Sequence, residues 1–392
     1  MTEPTAPSAQ PTEAAASTNT PQAPNLAQST ASARRRKLIL DLDTGIDDAL
    51  AIVYALGSAD EVDLIGITGT YGNVTVERGV RNALAVLHLF GRDDIPVYPG
   101  VDHPLGYDVT TRGPWQPSAG SVGVHAPNGL GGVDIPDAPR QPEAPGSAVD
   151  FIIDAARTWG EDLIVVPTGA MTTMATVLRK APDVAANTAF PSPSRGGCAR
   201  GGVHHDCGCA RGKGLARGVN ITFMGGALTI PGNVSPVAEA NISQDPEAAD
   251  YLFKCGARTT MIGLDVTHQT VLTRERAAAW GRLGTKAGDF LVAMTDYYIG
   301  FYLAHQPEIH GCGLHDPLAV AAALDPGLVG TFGVNMQVDL DGAVRGRTIG
   351  DRSRLQDPDK RTRVALSVDA PRFVDRFMER TIAAASLEGL VA

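Results

Sequence analysis

The chain has 392 residues, 43% hydrophobic and 19% charged, with 43 acidic against 33 basic side chains and a formal net charge of −10. That length suits one large α/β domain or two ordinary ones, and the acidic balance leaves no electrostatic footprint for nucleic acid. No apolar run approaches the roughly 18–20 residues of a transmembrane helix, and five cysteines, three of them crowded into one stretch, do not read as a disulfide framework, so a soluble cytoplasmic protein with no membrane partner is expected.

Residues 1–36 are rich in Ala, Pro, Ser, Thr and Gln without apolar periodicity and read as a disordered tail. Arg34-Arg35-Arg36-Lys37 follows no apolar h-region, so it is a solvated flank rather than a secretory signal. The folded domain is expected over 37–392. It begins with the strand Leu38-Ile39-Leu40, which runs into Asp41-Leu42-Asp43-Thr44-Gly45-Ile46-Asp47-Asp48 and then a helical pattern to about Leu56. Strand periodicity puts Asp41 and Asp43 on one side, while Asp47 and Asp48 fall where a helix N-terminus exposes unpaired N–H groups. Four carboxylates at one strand-to-helix turn repel one another unless a cation sits among them. The donors are all oxygen, which implies a hard ion, Ca²⁺ first and Mg²⁺ second.

Further strands are expected at Val62–Thr68, Pro96–Tyr98, Asp162–Pro167, Val219–Gly226, Thr260–Leu264, Thr331–Val338 and Thr362–Val368. Helices are expected at Val76–Phe90, Ser147–Trp159, from Ala170 to about Lys180, and at Asp245–Lys254, Thr273–Gly281, Ala287–Ala304 and Pro371–Ala385, with another opening at His315-Asp316-Pro317 and a turn at Asp341-Gly342. The alternation argues for a mainly parallel, Rossmann-like sheet with helices on both faces, where ligands gather at the carboxyl ends of the strands. The Gly- and Pro-rich stretch 101–145 is too long for a mere connection and reads as a functional or disordered loop. Residues 189–218 break the pattern with a Gly/Arg/Cys-rich insertion. Its Cys198, His204, His205, Cys207 and Cys209 raise a Zn²⁺ site, but the spacings match no common zinc motif, and a flexible loop or a gene-model artefact fits them better.

The spacing Asp-x-Asp-x-x-x-Asp-Asp after a strand resembles the signature of the inosine-uridine-preferring nucleoside hydrolases, which cleave the N-glycosidic bond of ribonucleosides. Two later segments agree with that family in order: Met224-Gly225-Gly226 followed by Asn233 and Glu239-Ala240-Asn241, and Gly313-Leu314-His315-Asp316-Pro317. Smaller likenesses are Gly72-Asn73, Pro167-Thr168-Gly169 and Val124-His125-Ala126 with Gly129-Leu130, where Ala126 replaces a glycine of the family.

The resemblance implies the nucleoside hydrolase fold and a division of labour. Asp43 would be general base and metal ligand, with Asp48, Asp316 and the Thr168 carbonyl completing the shell around Ca²⁺. Asp47, Asn233, Glu239 and Asn241 would grip the ribose, with Met224 close by and Asn73 orienting the site. His315 would protonate the leaving base, and His125, Tyr298 and Tyr302 would lie against it. A homo-oligomer, dimer or tetramer, is also implied. A haloacid-dehalogenase-type phosphatase also begins Asp-x-Asp after a strand, but carries Thr or Val where Gly45 stands and has no use for Asp47 and Asp48. A catalytically impaired nucleoside-binding or scaffold homologue would have lost base or metal ligands that are present here. Only the insertion leaves room for it, because a distorted strand after Lys180 would misplace Met224 to Asn241. Purine against pyrimidine preference stays open.

Overall fold

The computed structural model describes residues 35–186, 189 and 218–386. The N-terminal tail to residue 34 and the Cys and His residues of the 189–218 stretch lie outside the described residues.

Strand β1 (Arg36–Leu42) is the axis of the domain. Its side chains alternate between two cores: Leu38, Leu40 and Leu42 join one, Ile39 the other, as a period of two requires. Those four side chains are fully buried, worth about 1.5–3 kcal/mol each. That gain offsets the cost of burying Asp41 in the same strand, a cost further reduced by the Thr68 hydroxyl, which donates to its carboxylate at 2.7 Å.

The chain continues through β2 (Val62–Gly69), β3 (Val97–Pro99), β4 (Leu163–Pro167), β5 (Asn220–Met224), β6 (Thr259–Ile262), β7 (Val271–Leu272), β8 (Cys312–Gly313), β9 (Val329–Val334), β10 (Met336–Val338), β11 (Thr348–Gly350) and β12 (Thr362–Val368). Eight of these form one sheet in the order β3-β2-β1-β4-β5-β6-β12-β9. Every pairing in it is parallel except β12 with β9. The order reverses direction between β1 and β4, and that switch point opens a crevice at their carboxyl ends. Asp43 follows β1 there, and Thr168 follows β4.

The helix Ile46–Gly57 after β1 is buried on all sides up to Leu56, so its apolar residues surround it rather than forming a stripe. It packs against the helices His315–Leu324 and Ala370–Ser386. Most expected elements are present with ends shifted by a residue or two. Three differ. The run expected as one strand at Thr331–Val338 is split, with β9 on the main sheet and β10 in a separate hairpin with β11. The segment after β6 forms a short helix, Leu264–Thr267. Within 101–145, helices Val109–Arg112 and Ala119–His125 interrupt the irregular backbone. No helix among the described residues is long and apolar enough to cross a membrane.

Candidate active site

The tight exit from β1 assembles the acidic centre. Gly45 caps the helix Ile46–Gly57, its own N–H donates to the Asp48 carboxylate at 2.8 Å, and Asp47 and Asp48 occupy the first turn, where the helix dipole favours negative charge. Asp316 enters on the first turn of the neighbouring helix His315–Leu324. Carboxylate oxygens of Asp47, Asp48 and Asp316 lie within 4.8 Å of one another. Asp43 lies close enough to Asp48 for the two carboxyl groups to repel. It also accepts the Asn73 backbone N–H at 2.6 Å and the Asn73 side-chain amide at 3.1 Å, and the same amide reaches Asp48 at 3.2 Å. Asn73 therefore bridges two carboxylates. The Thr168 hydroxyl donates to Asp48 at 2.8 Å, and the Thr168 carbonyl accepts from Asn241 at 2.6 Å.

All four carboxyl groups are buried, and each is held above the usual carboxylate range. For Asp43 the causes are burial and then repulsion by Asp48. Asp47 is pushed up to about 8 by burial and then by Asp48. Asp48 rises through burial, and Asp316 through burial and then repulsion by Asp47, Asp48 and Asp43. A cation among them reverses that sign. The residues fit one: every donor is an oxygen, and Asp47 Oδ1 is buried without a hydrogen-bond partner. Asp41, expected to converge with these groups, instead turns to Thr68 and lies outside the tight trio. Asp47 lies inside it.

A polar wall lines the other side. Glu239 caps the short helix Ala240–Gln244 and accepts backbone N–H bonds from Gly226 and Asn241, both at 2.9 Å, and from Ile242 at 3.1 Å. The Asn241 amide also donates to the carbonyl and the sulfur of Met224, each at 3.2 Å. Asn233, exposed on the preceding loop, accepts the Ala240 N–H at 3.0 Å. Glu239 and Asn241 thus stand beside the acidic centre, with Asn233 on the rim.

Aromatic groups close the third side. His125, the last residue of Ala119–His125, accepts the Ile46 N–H through Nδ1 at 3.1 Å, and its neutral ring, held down to a pKa of about 3 by burial, suits an acceptor. Ala126 after it adopts φ 61, ψ 167, a conformation normally left to glycine, which accounts for the glycine the family carries there. The Tyr298 hydroxyl approaches Asp47 at 3.4 Å, and its ring lies 5.8 Å from His125 and 5.1 Å from Tyr302. Tyr302 OH and His315 Nε2 are 2.6 Å apart. On its other side, His315 Nδ1 lies 2.8 Å from the Thr267 hydroxyl.

Sequence reasoning missed Thr267, although its place after β6, at the carboxyl edge of the sheet, is a signal for it. It also missed the steric role of Gly45. A Cβ there would lie 2.5 Å from His125 Nδ1 and 2.7 Å from Asn73 Nδ2, so only glycine admits both side chains.

A mainly parallel sheet whose switch point holds buried carboxylates, beside polar side chains and a Tyr–His pair, is the architecture of an α/β enzyme site. The chain belongs to the inosine-uridine preferring nucleoside hydrolase family, whose sequence pattern matches residues 38–190 and 212–375. It is 34% identical over 354 residues to the probable uridine nucleosidase 2 of Arabidopsis thaliana, covering 88% of this chain and 97% of that one. It is 32% identical over 340 residues to an inosine-uridine preferring nucleoside hydrolase of Leishmania major, covering 86% and 95%. The solved structure of a purine-preferring ribonucleoside hydrolase from Gardnerella vaginalis superimposes with a TM-score of 0.78 at 50% identity, covering 90% of this chain and 99% of that chain. The fold is that of the nucleoside hydrolases, and the protein is a ribonucleoside N-glycosidase.

Proposed function

We propose that the protein hydrolyses ribonucleosides to ribose and free base with the help of Ca²⁺, and that it prefers purine nucleosides. The observation that carries the reading is the convergence of Asp43, Asp47, Asp48 and Asp316 at the switch point, opposite the Tyr302–His315 pair. Asp48 and Asp316, with Asp43 and the Thr168 carbonyl, would hold the cation, and the unpartnered Asp47 Oδ1 would add its charge from the ribose side. When bound, it supplies Lewis-acid polarisation to a water beside the anomeric carbon. Asp43 takes one proton of that water as its oxygen bonds to the anomeric carbon. The electron pair of the breaking C–N bond goes to the base nitrogen, which picks up a proton at the Tyr302–His315 pair. Solvent then removes the proton from Asp43 and restores the one at the pair.

Asp47, with Glu239, Asn241 and Asn233, grips the ribose hydroxyls. Their negative charge and dipoles lie where an oxocarbenium-like state develops positive charge. The purine preference is supported by the 50% identity to the Gardnerella vaginalis enzyme, whose name states that preference, against 34% to the plant uridine nucleosidase. Residues 191–211, unmatched between the two parts of the family pattern, support an insertion in an otherwise continuous domain. We assign the protein to the cytoplasm on its cysteine usage, and take it as a homo-oligomer on the family resemblance.

The test is ribose release from inosine, guanosine, adenosine, uridine and cytidine with Ca²⁺ supplied. The expected result is a higher kcat/KM for the purine nucleosides. A higher value for uridine would overturn the preference, and no release from any of the five by folded protein would overturn the hydrolase reading.

A further inference from the structure

The segment Asp265-Val266-Thr267-His268 carries none of the roles above, yet it is built tightly against the site. Asp265 pins the exit loop of β5 by accepting the backbone N–H groups of Leu228 at 2.8 Å and Thr229 at 2.7 Å. Thr267, fully buried at the end of the helix Leu264–Thr267, directs its hydroxyl to His315 Nδ1 at 2.8 Å. The imidazole is therefore held from both sides, by Thr267 and by the Tyr302 hydroxyl at 2.6 Å, and the His268 ring lies edge-on to it at 5.8 Å.

Which nitrogen of a neutral imidazole carries the proton is set by the partner of the other nitrogen. The Thr267 hydroxyl can donate to Nδ1, which puts the ring proton on Nε2, where it donates to the Tyr302 oxygen and leaves the Tyr302 O–H for the base. Without a donor to Nδ1 the ring is free to turn or to exchange tautomers.

We infer that Thr267 is a positioning residue: its hydroxyl donates to Nδ1 and holds His315 in the Nε2–H tautomer, with Nε2–H donating to the Tyr302 oxygen, so that the Tyr302 O–H is left to protonate the departing base. The inference rests on the leaving-group role proposed for that pair. It concerns orientation, and Thr267 itself touches no substrate.

Two measurements test it, and they fail separately. The first needs no turnover. In full-length protein labelled with ¹⁵N-histidine, the ring signals of His315 are identified among those of the nine histidines by their loss in His315→Gln. They are expected to report the Nε2–H tautomer in the wild type and in Thr267→Ser, and to shift toward a mixture in Thr267→Val. Unchanged signals in Thr267→Val would overturn the inference whether or not the protein is a hydrolase.

The second compares inosine with 4-nitrophenyl riboside, whose leaving group departs without a proton. Thr267→Val is expected to lower kcat on inosine about tenfold or more with KM within threefold, to lose less than threefold on the nitrophenyl substrate, and to be rescued by Thr267→Ser. Equal losses on both substrates, or no rescue, would make Thr267 merely structural. If the wild type released no base from any nucleoside, the hydrolase reading would fail and the tautomer measurement would still decide the role of Thr267.

Discussion

Gly45→Ala is a small change with a calculable consequence. The backbone at Gly45 has φ −90 and ψ −159, which alanine adopts without strain, so the effect is purely steric. The new methyl would lie 2.5 Å from His125 Nδ1, 2.9 Å from His125 Cε1 and 2.7 Å from Asn73 Nδ2. To reach ordinary van der Waals separation, both side chains must retreat by roughly 0.7–1 Å. Three hydrogen bonds already at 3.1, 3.1 and 3.2 Å cannot absorb that: the Ile46 N–H to His125, and the Asn73 amide to Asp43 and to Asp48.

Freed from Asn73, the base and its neighbour shift on the scale that costs about 10²-fold in rate, or about 2.7 kcal/mol of barrier. Stability changes less. A lost hydrogen bond to a buried imidazole costs about 1 kcal/mol, and alanine returns about 0.4–1 kcal/mol by restricting the unfolded chain. The assay is kcat/KM for inosine beside a thermal melt, with Gly120→Ala as control, since a methyl there meets only Ser118 Oγ at 3.5 Å. The double variant Gly45→Ala with His125→Ala should lose less than the sum of the singles, because one clash is gone. Activity of Gly45→Ala within threefold of wild type, or an equal loss in the control, would refute the reasoning.

Other consequences can be checked in the same way. Gly72→Ala would drive a methyl into the Asp43 carboxylate, and kcat should drop by about 10²-fold or more in the ribose-release assay while circular dichroism stays unchanged. Asp48→Asn should weaken Ca²⁺ in a calorimetric titration more than Asp47→Asn does, whereas Asp47→Asn should raise KM more; the reverse order would exchange the two assignments. In Glu239→Gln an amide meets three backbone N–H donors, so the melt should show a loss of about 1.5–3 kcal/mol and KM should rise.

The pH dependence follows from the upward shifts. Asp47 goes from 3.8 to about 8, so the folded site holds protons that the unfolded chain has released. In chelator, stability is therefore greatest at the acid end of that window and falls as pH rises toward 8. Ca²⁺ must displace those protons, so its affinity and the thermal shift it produces should grow from pH 5 to 8. Affinity independent of pH across that range would contradict the shifts.

Much of the fold was legible because strand-length apolar runs alternate with amphipathic helices, and β1 shows why. Leu38 to Leu42 is buried on both faces, as a continuous apolar run in a parallel sheet must be. The acidic turn, the Asn-Glu-Asn wall and the His-Asp-Pro helix start were joined into one site by their resemblance, in the same order, to one family; position alone marks each only as a strand exit or a helix start. The split of Thr331–Val338 was not legible, since only the neighbouring strand decides whether Val334 and Met336 share a sheet. Nor was the partner of His315. Forty-eight residues separate it from Thr267, and spacing alone does not bring together two side chains from different strand ends. Asp41 misled in the opposite sense: lying inside the strand, it faces the Thr68 of β2 rather than the crevice.

The central claim is that Asp43, in a buried acidic centre that binds a divalent cation, activates the water that cleaves the nucleoside. The most direct measurement is ribose release from inosine by wild type and Asp43→Asn, each stripped with chelator and then titrated with Ca²⁺. The account predicts that stripped wild type is inactive and recovers with Ca²⁺, while Asp43→Asn stays at least about 10²-fold below it at saturating Ca²⁺. Recovery of Asp43→Asn to the wild-type rate, or full activity of the stripped wild type, would contradict it.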